Sequence, residues 1–492
     1  MERSVSVLKF GGTSVGNGVY IRQVAQIVAR QAQQLEEDFP AVVVSAMAGV
    51  TDQLLRITRS ITIGEFEASA REIDALKEKH REAAAIVSSS PEDRARLLDT
   101  LEEAFSHLEQ DVERLRAVRS NLDEVPLYTA GVAAWGERLA VLLVAAAIRA
   151  CGIKAEAVRD EVIIIEAPRT EMPYVPGTVI GAEPLAAETR ANAALLVKPL
   201  LASGVVPVMA GFIGRTHDGM AATLGRNGSD YSAAVIGAAL DCVQVEIYTD
   251  VDGVLTADPR IVPNARLLPQ LSYTEAAQLS WFGAKVLHPR TLIPLAQRNV
   301  PVRVRNTFHP YNRGTIVGPV DDAQRSAATA ITVRRQLALI TVESRHLFGA
   351  PENVGQIFAL AARAGITPVA ICSSSGHHLA FMVEEKMADS VVKLLEHDLE
   401  NWKVSSRKEL AACACIGSGF TSSPMSPARA SIALARERIP VITQGASDLG
   451  IILIVEDRDS ERALRSLHRD LVAPVIPLVR HQAPEKLQEI AR

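Results

Sequence analysis

The sequence is poor in cysteine, in charge imbalance and in long apolar runs, and each shortage removes a class of protein. Five cysteines occur in 492 residues: Cys151, Cys242, Cys372, Cys413 and Cys415. Only the last two are close, as C-x-C, with no second ligand pair and no histidine at zinc spacing, which argues against a zinc site. The odd number and the apolar surroundings predict reduced, buried thiols and a cytoplasmic protein. Lysine and arginine (52) nearly balance aspartate and glutamate (57), leaving a net charge of −5, so no nucleic-acid partner is expected. There is no signal-peptide pattern and no apolar run of membrane-spanning length, so no membrane partner is expected. The longest apolar segment, "LAVLLVAAAI" after Arg138, reads as a buried helix.

What is present is a large apolar fraction, 48%, in a chain long enough for roughly three domains. Over residues 1–320 strand-like runs at 5–10, 41–46, 205–210 and 244–249 alternate with helical patterns, the rhythm of an α/β sheet covered on both faces. Residues 64–122, dense in Glu, Arg, Ala and Leu, read as a helical insertion with solvated charged faces. A polar stretch near 320–330 marks a boundary. Beyond it the chain repeats itself: "ALAARAGITPVAICSSSGHHLAFMV" from Ala359 matches "ALARERIPVITQGASDLGIILIV" from Ala433, with Pro368 aligned to Pro440 and Cys372 to Gln444. Two βαββαβ-like modules are expected, over 330–405 and 406–480, followed by a tail at 481–492.

Four motifs carry chemistry. In "SVLKFGGTSVGNG", from Ser6, a short strand ends in Lys9, Gly11 and Gly12, and Thr13 or Ser14 can cap a helix over Gly18–Gln33. Strand, glycine turn and helix N-terminus together form an anion site, to which Lys9 adds a full charge; the same residues also suit an ordinary turn beside a solvated lysine. In "TLGRNGSDYSAA", from Thr223, Arg226 sits in a second glycine loop, and Ser229 or Asp230 can cap a helix over 231–240. An arginine there can grip a carboxylate or phosphate and Asp230 an ammonium, as an α-amino acid requires; a plain helix cap with a surface arginine is the alternative. "YTDVDGVLTADPR", from Tyr248, has the wrong spacing for an EF-hand and fits a turn beside a nucleotide or its magnesium. "FGAKVLHPRT" supplies Lys285, with His288 before Pro289 read as structural.

Taken with "SAMAGVT" from Ser45 and "GERLA" from Gly136, these motifs, in this order, resemble those of the aspartate kinases. The resemblance spans the chain and is to the kinase half of bifunctional aspartokinase–homoserine dehydrogenases, with no counterpart of the dehydrogenase part. It implies an amino-acid kinase fold, an open and mostly parallel sheet sandwiched by helices, followed by two ACT-like α+β modules. It implies transfer of a phosphoryl group from ATP, carried as Mg-ATP, to the β-carboxylate of L-aspartate. That carboxylate is ionised at neutral pH and needs no enzyme base.

By the same resemblance Lys9 and Asp230 are catalytic, Lys9 stabilising the charge spread over the transferred group. Lys9, Gly11, Gly12, Thr13, Ser45, Thr249, Asp250, Arg260 and Lys285 surround the nucleotide, although no Walker A loop occurs. Arg226 grips a substrate carboxylate with Ser229 and Thr51 donating hydrogen bonds, and Glu137 and Asp230 lie near the α-ammonium. No dedicated metal ligands are implied. The ACT modules imply feedback inhibition by threonine or lysine, with Gln444 and Ser447 marking the effector site, and a homodimer or homotetramer formed through these modules. Cys372 stands where the first module would carry a glutamine, and a thiol lacks the amide's paired donor and acceptor. The alternative function on the same fold is a catalytically inactive, amino-acid-sensing regulatory subunit.

Overall fold

The computed structural model describes residues 4–34, 38–121, 124–158, 161–166, 183–225, 227–284, 287–320, 328–344, 352–375, 378–399, 402–418, 420 and 425–472. The chain divides into two units, one made of Met1–Leu255 with Pro269–Asp321, the other of Thr256–Leu268 with Asp322–Arg492.

The first unit opens with β1 (Val5–Phe10), the glycine turn, α1 (Gly18–Gln33) and β2 (Phe39–Val44). β1 is apolar almost throughout because it lies between two parallel neighbours and is covered on both faces. α1 lays Ile21, Val24, Ala25 and Val28 against the sheet, each burial worth about 1.5–3 kcal/mol for the larger side chains. Its cap is Asn17, whose side chain accepts the Tyr20 N–H at 2.9 Å, and neither Thr13 nor Ser14 takes that role. β2 stops before the expected 46, because the Ala46 N–H turns away from the ladder to the carboxylate of Glu137.

The insertion is helical as expected: α2 (Val50–Ile63), α3 (Phe66–Val87) and α4 (Pro91–Val118). Leu76, Ala84, Leu101, Phe105 and Leu108 join the core under β1 and β2, while the charged faces point outward and pair, as Arg81 does with Glu102 at 2.7 Å. Next come α5 (Val125–Ala133), α6 (Trp135–Ala150) and β3 (Ala155–Ala157). Among the described residues one span, Val125–Ala150, is long and apolar enough to cross a bilayer; it is mostly buried inside the unit.

The unit continues with α7 (Ala186–Leu196), α8 (Lys198–Ala202), β4 (Val206–Ala210), the hairpin β5 (Ile213–Arg215) and β6 (Ala221–Thr223), α9 (Gly228–Leu240) and β7 (Gln244–Thr249). It closes with β8 (Gln270–Leu271), α10 (Tyr273–Trp281), α11 (Pro289–Ala296), β9 (Val302–Asn306) and β10 (Thr315–Val317). The eight-stranded sheet runs β3-β4-β2-β1-β7-β9-β10-β8, and every pair is parallel except β9–β10. The chain leaves β1 toward β2 on one side and later returns to place β7 on the other. That switch of direction opens a crevice at the carboxyl ends of β1 and β7, the place where open α/β sheets bind ligands.

The second unit contains β11 (Ala330–Ser344), α12 (Glu352–Arg363), β12 (Ala370–Ser375), β13 (His378–Glu384), α13 (Ala388–Asp398), β14 (Trp402–Ile416), α14 (Met425–Arg436), β15 (Thr443–Ser447), β16 (Gly450–Glu456) and α15 (Ser460–Leu471). Its antiparallel sheet runs β12-β13-β11-β14-β16-β15, and the repeat seen in the sequence is the pair of hairpins β12–β13 and β15–β16. The two modules interleave. β11 and β14 pair along their length and shift register near Gln336 and Glu409, both in the left-handed region at φ 58° and 57°. Ala338, Ile340 and Val342 of β11 enter one core with Phe381 and Leu395; Ile331 of β11 enters the other with Cys413, Leu453 and Leu464. The boundary expected between 405 and 406 therefore falls within β14.

Thr256–Leu268, expected within the first 320-residue domain, also belongs here. Ala257 and Val262 are buried in the second core, and Thr256 Oγ1 lies 2.9 Å from His468 Nε2. The tail expected at 481–492 lies outside the described residues.

Candidate active site

Lys9, the penultimate residue of β1, has its side chain only 9% exposed, and its Nζ lies 2.5 Å from Asp230 Oδ1. The turn after it is tight. A Cβ on Gly11 would meet the Lys9 Nζ at 3.4 Å, and one on Gly12 the Ala46 carbonyl oxygen at 3.0 Å, so glycine lets both the lysine and the next loop approach. Gly11 donates its N–H to the Tyr248 carbonyl at 3.2 Å, fastening the turn to the end of β7. Among the described residues the N–H groups of Gly12 and Thr13 meet no acceptor. Two free amides beside a buried ammonium are suited to an anion.

The loop after β2 forms the next wall. Ser45 donates its N–H to the Phe10 carbonyl at 3.1 Å, and Thr51 lies in the first turn of α2. Glu137, in the first turn of α6, is 3% exposed and accepts the Ala46 N–H on Oε1 at 3.2 Å. Among the described residues its Oε2 is buried with no partner, and burial pushes the carboxyl up to about 8. A buried acceptor with nothing to bind marks the place of a donor, such as an ammonium group.

The third wall is the start of α9. The helix begins at Gly228, earlier than the expected 231, behind Asn227 in the left-handed region at φ 55°, and has no side-chain cap. Neither Ser229 nor Asp230 caps it. Asp230 sits in the first turn, where the helix dipole favours its charge, and turns to Lys9. A Cβ on Gly211, after β4, would come within 2.8 Å of the Ser229 side chain, which brings Ser229 against the end of that strand.

On the far side of β1, Thr249 ends β7 and Asp250 follows it. The Thr249 carbonyl accepts the Thr307 N–H at 2.9 Å, and Asn306 Nδ2 donates to Asp252 Oδ1 at 2.7 Å. Lys9, Gly11, Gly12, Thr13, Ser45, Thr51, Glu137, Ser229, Asp230, Thr249 and Asp250 thus cluster at adjoining strand ends and helix starts. Arg226 and Lys285 lie outside the described residues. Arg260 belongs to the second unit, is exposed, and pairs with Asp258 at 2.6 Å. His288 acts as the structural residue expected, its Nδ1 accepting the Arg290 N–H at the start of α11.

Gln444 and Ser447 are exposed on the edge strand β15. At Gly445 an added Cβ would lie 3.4 Å from the Ile371 carbonyl of β12, so the two module edges run side by side. Burial pushes the Cys372 thiol up to about 11.

Three contributors escaped the sequence reading. Lys79, on α3, donates to the Ala48 carbonyl at 2.5 Å and fastens the β2 loop, although its helix reads as a solvated face. Ser14 and Thr307 pair their hydroxyls at 2.6 Å. Nothing in the local pattern of any of the three signals a contact so distant in sequence.

The amino acid kinase family pattern matches residues 4–306, and an ACT domain pattern matches 414–471. The chain is 32% identical over 487 residues to the bifunctional aspartokinase/homoserine dehydrogenase 2, chloroplastic, of Arabidopsis thaliana, an alignment covering 94% of this chain and 50% of that protein. The chain spans about half the length of such curated relatives. Its fold is similar to that of E. coli aspartokinase III in complex with aspartate and ADP, with a TM-score of 0.76, 28% identity, and 95% of this chain and 99% of that one covered. The complex of the same protein with lysine and aspartate gives a TM-score of 0.75 at 28% identity, covering 95% and 100%. Family pattern, sheet topology and the crevice around Lys9 agree: the chain belongs to the amino acid kinase family, on its aspartokinase branch.

Proposed function

We propose that this chain catalyses ATP-dependent phosphorylation of the β-carboxylate of L-aspartate, giving 4-phospho-L-aspartate, the first step toward lysine, threonine and methionine, under feedback control by the ACT unit. The observation that carries this is the buried Lys9–Asp230 pair at the topological switch, with free turn amides on one side and the unsatisfied Glu137 oxygen on the other. Such a crevice offers positive charge to a phosphate and negative charge to an ammonium.

In this reading the ATP phosphates lie on the amides of Gly12 and Thr13, with Gly11 shaping the turn, and Thr249, Asp250, Ser45 and Lys285 attend the nucleotide. Magnesium would be carried on the ATP phosphates, keeping much of its water shell and offsetting their charge. Glu137 and Asp230 receive the α-ammonium of aspartate, and Arg226, Ser229 and Thr51 its carboxylates. A β-carboxylate oxygen forms the new bond to the γ-phosphorus, the bond to the ADP oxygen breaks, and no proton has to move. Lys9 supplies charge to the transferred oxygens, and Asp230 holds the lysine in place.

Threonine or lysine is the proposed effector, bound near Gln444 and Ser447, in a cytoplasmic homodimer or homotetramer formed through the ACT modules. The E. coli relative captured with lysine supports an amino-acid effector. Trapping the acyl phosphate with hydroxylamine tests the activity. ATP-dependent hydroxamate from aspartate and not from glutamate is expected; none from aspartate contradicts the reading.

A further inference from the structure

Residue 307 commits every polar atom it has. Its N–H goes to the Thr249 carbonyl at 2.9 Å, its carbonyl accepts from Gln23 Nε2 of α1 at 2.8 Å, and its Oγ1 meets Ser14 Oγ at 2.6 Å. Ser14 in turn reaches the Tyr248 carbonyl at 3.4 Å, the same oxygen that takes the Gly11 N–H. Ser14 and Thr307 are both fully buried, at 0% exposure. Ala and Val would fill the same space without polar atoms. A buried hydroxyl pair fixes a distance and an orientation that apolar packing leaves looser, since an unpaired partner there is penalised.

We propose that the Ser14–Thr307 hydroxyl pair is a positioning clamp that holds the glycine turn after β1 in register with the loops after β7 and β9. The inference rests on reading that turn as the phosphate site. One side of the clamp carries Gly11, Gly12 and Thr13; the other carries Thr249 directly, and Asp250 through Asn306, whose Nδ2 lies 3.4 Å from the Asp250 carbonyl. Phosphate and nucleotide ends of one ligand would thus be gripped by segments whose spacing this pair sets. Neither residue touches the reacting atoms in this account.

The test compares the full-length wild type with Ser14→Ala, Thr307→Val, the double variant and Thr307→Ser. Each of the first two is expected to lower kcat/KM for ATP by about tenfold to a hundredfold while KM for aspartate stays within about twofold, the signature of a misplaced turn. The double variant is expected to be no worse than the poorer single one, and Thr307→Ser to restore most of the loss by keeping the hydroxyl. Amide hydrogen exchange gives a readout independent of turnover: Thr307→Val is expected to speed exchange over 11–16. Wild-type kcat/KM for ATP in both single variants, or unchanged exchange over 11–16, overturns the clamp. A wild type with no ATP turnover overturns the kinase reading instead, and the exchange result still decides the clamp.

Discussion

Lys9 and Asp230 are 2.5 Å apart across the switch point of the sheet, one next to the end of the first strand, the other in the first turn of α9. A lysine so enclosed, at 9% side-chain exposure, needs its partner. Removing one member of a largely buried pair leaves a charge without compensation, a loss on the order of 3–5 kcal/mol in comparable sites. Asp230→Asn is therefore expected to lower both the thermal midpoint and kcat, the latter by about a hundredfold or more. Steady-state kinetics with a melting curve check this, and a variant with wild-type kcat contradicts the assigned role.

Glu137 predicts a pH dependence. Its folded carboxyl is pushed up to about 8 from an ordinary 4.5 by burial, so below pH 8 the ligand-free fold holds a proton that the unfolded chain releases. The stability this contributes is full below about pH 4.5 and is lost as pH rises through 8. Glu137→Gln removes this loss, so its thermal midpoint should fall less than the wild type's between pH 5 and 8. The same substitution is expected to raise KM for aspartate about tenfold or more, because a bound ammonium favours the ionised carboxylate of Glu137 and Gln offers it no charge. Parallel pH–melting curves that superimpose contradict the prediction.

His80 predicts the opposite slope. It is buried in the helical insertion edge-on to Phe105, with ring centroids 5.6 Å apart, and burial pushes it down to about 4. The unfolded chain takes up a proton near pH 6.5 that the fold refuses, so stability is present above 6.5 and lost toward pH 4, by up to about 3 kcal/mol. His80→Leu is expected to flatten the acid limb of the melting curve. An acid limb as steep as the wild type's contradicts this.

In the ACT unit, Gln444 offers an exposed amide on β15 beside the β12 edge. If threonine or lysine binds there, Gln444→Ala should raise the concentration for half inhibition about tenfold, the value of one or two lost hydrogen bonds to a charged ligand. Inhibition curves decide it, and an unchanged half-point removes Gln444 from the effector site.

The parts legible in the sequence are those set by local pattern. The apolar run into Lys9 and two glycines specifies strand, turn and helix, and the density of Glu, Arg, Ala and Leu over 64–122 specifies the helical insertion. The caps differ because Asn17 and Asn227 stand in the capping positions directly before α1 and α9, while Ser14 and Asp230 pair with distant partners, Thr307 and Lys9. No periodicity announces a pairing between residues 14 and 307. The module boundary was hidden for a related reason. β14 is one continuous strand, and only the register shift near Glu409 sends Val404 and Cys413 into different cores. Thr256–Leu268 joins the second unit through Ala257, Val262 and the Thr256–His468 bond, which are tertiary contacts with no local signature.

The most direct measurement is hydroxylamine trapping of the acyl phosphate in a single turnover, with ATP, magnesium and aspartate, for the wild type beside Lys9→Ala. Aspartyl hydroxamate is expected from the wild type, with a rate lower by about a hundredfold or more in the variant and aspartate affinity little changed. Equal rates in the two proteins would contradict this.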